Sequence, residues 1–330
     1  MGQIPLYPLR FAPIYQYRLW GGRRLGVILS EPPPGSDPIG EAWILSDRED
    51  HSSLVANGYL KGRTISEVMK LFPEQMMGKL TSRFDRFPLL LKFLDAREML
   101  SVQVHPSDAQ PDLIPSGETS KTEAWVVIEA DEGSKIYAGL TRGTTAGDLK
   151  QSLASSTVED HLAGIVPKPG DAVFIPAGTV HTLGGGVVVF EVQQNSDVTF
   201  RLYDWGHVDA KTGQPRPLQV DDAIRCIDFS ESTGGLVRPD VESTTPVMRE
   251  KLFDCRAFRV ERFHGQAPFP VGAGGEPRVL VCIDGSGNVE YNQIPHAIAR
   301  GDVWLLPAEV GACVFLPSGE MTLLEIAIPE

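Results

Sequence analysis

The stretch Ser101-Val-Gln-Val-His-Pro106 alternates strictly, apolar at Val102 and Val104 and polar at Gln103 and His105. Side chains two apart on a strand share a face, about 7 Å apart along the backbone. One face therefore presents an amide oxygen and an imidazole, while the other packs into a core. Two such donors can grip a metal ion; the same pattern also describes a half-buried strand whose polar face meets solvent. Further on, Lys121-Thr-Glu-Ala-Trp-Val-Val-Ile128 enters a strand with Glu123 near its start. Gly170-Asp171 then turns into a short apolar strand, and a second turn at Pro176 and Gly178 delivers His181. Two imidazoles, a carboxylate and an amide oxygen suit zinc and also accept iron, manganese or cobalt. Three strong ligands and a weak fourth leave room for water or substrate, as a catalytic site requires. Chain separation is no objection, because a β-barrel brings distant strands side by side. Spacing alone leaves the solvated-strand reading open.

The elements that must position these residues are short and turn-rich. Gly (33) and Pro (26) punctuate brief apolar runs over 330 residues, which favours a mainly β chain of one large domain or two ordinary ones. Short strands are expected over residues 1–60, broken at Gly21-Gly22, Pro32-Pro-Pro34 and Asn57-Gly58. Ile65, Val68, Met69, Leu71 and Phe72 predict a helix from Thr64 to about Leu80, capped by Thr64 or Ser66. Residues 140–165 read as helical, Thr145–Leu153 first and Val158–Ile165 continuing it. The run from Phe87 to Asp95 is apolar except for Lys92, which must snorkel to water or meet a negative partner.

An internal echo divides the chain. Gly170-Asp-Ala-Val-Phe-Ile-Pro-Ala177 is matched by Gly301-Asp-Val-Trp-Leu-Leu-Pro-Ala308, which suggests two related β units. The second copy has no counterpart of His181, so if one unit binds a metal it is the first. The polar stretch Ser230–Thr245 is the expected linker, giving units of 1–235 and 236–330.

The net charge of −13 opposes binding to nucleic acid or anionic lipid. No apolar run approaches the roughly 18 residues that span a bilayer, and no export signal is legible at the N-terminus. Cys226, Cys255, Cys282 and Cys313 are well separated and form no CxxC pair. Reduced thiols and a cytoplasmic location are expected. Oligomeric state is not readable.

Gly170, Pro176, Gly178 and His181 resemble the second motif of the cupins, double-stranded β-helix (jelly-roll) barrels that hold a metal. Gln103 stands where the usual first motif has a His, Glu123 follows a Pro-rich insertion, and Gly185 stands where an Asn is usual. A narrower family fits these departures. LLLKFLDA, LSVQVHPSD, KTEAW, PAGTVHTLG and SDVTFRLYDW resemble type I mannose-6-phosphate isomerases, as do PLRFAPIYQYRLWGGRRL, IGEAWILSD and VANG. The resemblance covers residues 5 to about 210, and the short length looks like the compact bacterial form. It implies a cupin catalytic domain with helical segments and a smaller C-terminal cupin-like β domain. It implies one zinc ion per chain on Gln103, His105, Glu123 and His181. The family's active-site arginine falls on Arg201 and its lysine on Lys121, while Lys92, Ser101 and Asp197 match pocket positions. The implied reaction interconverts mannose 6-phosphate and fructose 6-phosphate through a cis-enediol. Bland roles stand beside these: Arg201 as an ion-pair partner of Asp197, and Lys121 as a solvated turn residue. Other function classes remain, namely another sugar-phosphate isomerase, a cupin dioxygenase, or a sugar binder without catalysis.

Overall fold

The run around Lys92 is apolar on both faces because its strand, Leu89–Ala96, is buried on both faces. In the computed structural model, which describes residues 5–29, 31–230 and 234–330, this strand sits inside a seven-stranded antiparallel sheet. The order is Gly235–Val237, Ala172–Ile175, Glu123–Ala130, Val187–Gln194, Leu89–Ala96, Ile14–Gly22 and Ile39–Leu45. Facing it is a five-stranded sheet in the order Leu162–Ile165, Ile136–Leu140, His181–Leu183, Val102–Val104 and Phe200–Tyr203. The space between them is a barrel interior filled by Trp20, Leu94, Trp125, Val127, Val173, Ile136 and Leu183. Alternation then sends Ala124, Val126 and Ile128 to the opposite face of the larger sheet. There they meet a second seven-stranded sheet through a shared core that includes Phe93, Phe190, Val260, Val281 and Leu324.

That second sheet packs its other face on a four-stranded sheet, Phe269–Val271, Cys313–Pro317, Ser286–Tyr291 and Ile294–Ala299. Phe263, Phe269, Leu280, Val289, Phe315 and Leu323 fill the gap with apolar side chains. The two sequence echoes are the same device in both places. Gly170 and Gly301 each take φ of 89°, a value that favours glycine. Asp171 accepts from the Lys168 backbone N–H and Asp302 from the Ala299 N–H, both at 2.8 Å. Each turn feeds a strand, Ala172–Ile175 and Val303–Leu306.

Several expectations are corrected. Pro73 splits the 64–80 helix, because proline lacks the N–H that would continue the ladder. Ile65–Leu71 and Pro73–Met77 result, followed by a 3-10 turn. Thr64 rather than Ser66 is the cap. Its side chain accepts from Glu67 N–H, while Glu67 accepts from Thr64 N–H at 2.8 Å. Thr64→Ala should cost about 1 kcal/mol of stability in urea unfolding. The helix Ala146–Ser155 forms, but Val158–His161 is a 3-10 turn and Leu162–Ile165 is an edge strand. Pairing with Ile136–Leu140 outweighs helical spacing there. The expected linker is also structured. Gly235–Val237 pairs with Ala172–Phe174, and Asp240–Ser243 pairs with residues 249–251. Residues 231–233 of that stretch lie outside the described residues.

Candidate metal centre

Register assembles the site. On the five-stranded sheet Gln103 lies opposite His181 on one side and Arg201 on the other. Directly paired residues share a face, so Gln103, His181 and Arg201 form one row, with Ser101 and His105 two residues away along the strand. Glu123 opens its strand on the facing sheet, paired with Ile175 and Gln193. The barrel thereby brings His105, Glu123 and His181 together, their candidate ligand atoms within 4.8 Å of one another and all three residues buried.

The donors converge as lone pairs. His105 Nδ1–H donates to Val198 O at 2.8 Å, and His181 Nδ1–H to Thr179 O at 2.9 Å. Those bonds leave Nε2 of each ring as an acceptor, the arrangement that orients metal-binding imidazoles. His105 Nε2 lies 3.3 Å from Glu123 Oε2, and His181 Nε2 3.1 Å from Glu123 Oε1. Neither carboxylate oxygen takes part in a hydrogen bond of normal geometry. The nearest donors to these acceptors are Lys121 Nζ and the Gln103 amide nitrogen, so the donor set and its spacing carry the case for an ion. Ligands about 2.1 Å from a tetrahedral ion are themselves about 3.4 Å apart, close to these spacings. The residues fit a divalent ion.

Lys121 is buried, with Nζ 2.9 Å from Glu123 Oε2 and 3.1 Å from His105 Nε2, so the solvated-turn reading is corrected. Burial would raise the Glu123 carboxyl, but Lys121, His105 and His181 hold it well below the usual range. Burial, followed by the Lys121 charge, pushes His105 down to about 3. Gln103 stands beside the cluster with its amide nitrogen 3.1 Å from His181 Nε2, and its oxygen accepts from Ser101 Oγ at 3.4 Å.

Arg201 donates from Nη1 to Pro217 O at 2.9 Å, and its Nε is buried without a partner. Among the described residues no ion pair joins it to Asp197. Burial and then the Arg216 charge weaken its hold on its proton, which marks a cation in a cationic neighbourhood. Asp197 is exposed and lines a cleft of about 1390 Å³ with Arg18 and Trp43. Ser120 and Thr122, on either side of Lys121, also line it, as does Arg256 from the C-terminal part of the chain.

Lys92 does not snorkel. Its Nζ lies 3.2 Å from Glu191 Oε2, both side chains 4% exposed, and 5.1 Å from the Trp43 ring centroid. Burial would lower it, but Glu191 and then Glu41 raise it instead. Residue-by-residue reading missed Glu41, Trp43, Trp125 and Glu191. Two signals pointed to them: the demand of Lys92 for an anion, and the period of two that puts Trp125 on the face of Glu123. Glu41 takes Arg18 Nε at 2.8 Å and Trp43 Nε1 at 2.6 Å. Burial would raise Glu41, but Arg18, Lys92 and these hydrogen bonds hold it at about 2, below its ordinary 4.5. A depressed carboxyl stabilises the fold above the unfolded value and loses that contribution as pH falls toward the folded one. Stability should therefore decline between about pH 4.5 and pH 2, by about 3 kcal/mol at most from this group. Glu41→Gln should flatten that part of a urea-unfolding series.

Two facing antiparallel sheets around a buried His-Glu-His cluster are the architecture of a metal-binding cupin. Residues 9–124 match the family described as phosphomannose isomerase type I, catalytic domain. The chain is 33% identical to mannose-6-phosphate isomerase ManA of Bacillus subtilis, covering 92% of this chain and 94% of that one. It is 32% identical to the mannose-6-phosphate isomerase of Streptococcus mutans, over 90% and 92%. A crystal structure of the mannose 6-phosphate isomerase from Bacillus subtilis superposes with a TM-score of 0.88 at 31% identity, over 97% and 99% of the two chains. The chain belongs to the type I mannose-6-phosphate isomerase family of cupin enzymes. Among the described residues no helix is long and apolar enough to cross a membrane.

Proposed function

We propose that this chain interconverts mannose 6-phosphate and fructose 6-phosphate with one zinc ion per chain. The convergence of His105, Glu123 and His181 in a buried, family-matched barrel carries the reading. His105, Glu123 and His181 would hold the ion, with Gln103 as fourth ligand once its amide turns its oxygen inward. When bound, the ion supplies Lewis-acid polarisation of the open-chain sugar carbonyl.

The chain's own residues do the rest. A proton must leave carbon 2 and reach carbon 1 while the two oxygens exchange carbonyl and hydroxyl character through a cis-enediol. Arg201, in register with Gln103, would set a permanent positive charge beside those oxygens. Lys121 would carry a proton to and from a sugar oxygen. Lys92 and Ser101 are assigned to the phosphate, and Asp197 to the pocket wall. The catalytic unit is residues 1–235, and 236–330 form the second unit. Four free cysteines support a cytoplasmic location.

A coupled assay over a panel of hexose phosphates tests the substrate. Mannose 6-phosphate should give a kcat/KM at least about tenfold above any other member. Zinc-loaded protein that ignores mannose 6-phosphate but turns over another hexose phosphate would overturn the assignment.

A further inference from the structure

One row of side chains crosses the barrel interior on four neighbouring strands. Trp43 is paired with Lys92, Lys92 with Glu191, and Glu191 with Trp125. Glu191 is 3% exposed and Trp125 is 1% exposed. The carboxylate divides its oxygens: Oε1 accepts from Trp125 Nε1 at 2.8 Å, and Oε2 lies 3.2 Å from Lys92 Nζ. The Trp125 ring then meets the His181 ring edge-on, with centroids 5.6 Å apart and planes at 76°.

The hydrogen bond from His181 Nδ1 to Thr179 O fixes one point of that imidazole. The Gln103 amide nitrogen lies 3.1 Å from its Nε2, and the His105 ring centroid is 4.8 Å away at a tilt of 50°. The Trp125 ring adds a contact from the facing sheet that bears on the plane of the imidazole and so on the direction of Nε2. We propose that Trp125 is a positioning residue, a strut pinned by Glu191 that holds the His181 ring in its metal-facing plane. Glu191 is the branch point of the row, since its other oxygen holds the Lys92 ammonium. The strut rests on the His181 metal assignment, and the Lys92 arm on the phosphate assignment above. Partners that orient ligating histidines typically change metal affinity by about ten- to hundredfold when lost.

Three variants separate the two arms: Trp125→Leu, Trp125→Phe and Glu191→Gln. Each is purified as the full chain, checked by circular dichroism, and loaded with zinc well below its melting temperature. Zinc dissociation constants are read by chelator competition, and kcat and KM are taken separately with mannose 6-phosphate. Trp125→Leu removes both ring edge and donor, and should weaken zinc about tenfold or more with KM within about twofold. Trp125→Phe keeps an aromatic edge but loses the pin, and should fall between it and the parent. Glu191→Gln keeps an acceptor for Trp125 but loses the charge beside Lys92. It should leave zinc affinity within about twofold and raise KM about fivefold or more. A folded Trp125→Leu that binds zinc as tightly as the parent overturns the strut, and a Trp125→Phe that matches the parent overturns the pin. A parent chain that binds no zinc overturns the metal reading instead, so the two failures are distinguishable.

Discussion

Glu123→Ala should yield a folded chain that holds no zinc and whose isomerase kcat/KM has fallen by about 10³-fold or more. His105→Ala should behave alike. The size follows from what is removed. Deleting one preorganised donor to a developing oxyanion typically costs about 10²–10³ in rate, and loss of the ion removes a full divalent charge at the same place. Glu123 is the one carboxylate in a cluster whose other members are two imidazoles and the Lys121 side chain. Without it the site has no charge to hold a cation, and Lys121 is left buried beside two rings. Glu123→Gln is the companion variant, since it keeps the volume and guards against misfolding. Metal content after dialysis and a coupled assay give the two readouts. Parent enzyme that still turns over after exhaustive chelation would sink the model.

Arg201→Gln should lower kcat by about 10²–10³-fold while bound zinc stays at the parent level. The two effects separate because Arg201 touches none of the three clustered donors. It donates to Pro217 O, and the charges acting on it are Arg216, Asp204 and Arg18, with Asp204 itself paired to Arg216. Removing it therefore orphans no buried anion, and the fold should tolerate the change. Had Arg201 been the partner of Asp197, the substitution would instead have freed a carboxylate. A kcat within threefold of the parent would return Arg201 to a structural role.

The residues that make the cluster were legible because each obeys a local rule. Alternation put Gln103 and His105 on one face, and Gly178 with Pro176 marked the turn before His181. The mainly β class followed from short strands punctuated by Gly and Pro and the cupin barrel from the resemblance of the motifs, and the paired Gly-Asp turns proved identical in hydrogen bonding. Segment 158–165 was misread because helical spacing and strand alternation are hard to tell apart in four residues. Pairing with a neighbour decided it. Stretch 230–245 was misread because polarity does not forbid a strand at a sheet edge.

Lys92 marks the boundary between the two kinds of knowledge. Its place in an apolar run determined that it must either reach water or find an anion. Which one, and that the anion is Glu191, depended on two strands almost a hundred residues apart in the chain being neighbours. The same holds for Gln103 and His105. The sequence by itself determined that an amide and an imidazole share a face, because the period of a strand is a local property of the backbone. Only the tertiary structure decided that this face looks across a barrel at Glu123 and lies beside His181 and Arg201. Register and sheet packing are set by long-range burial, and no short window of sequence contains that information.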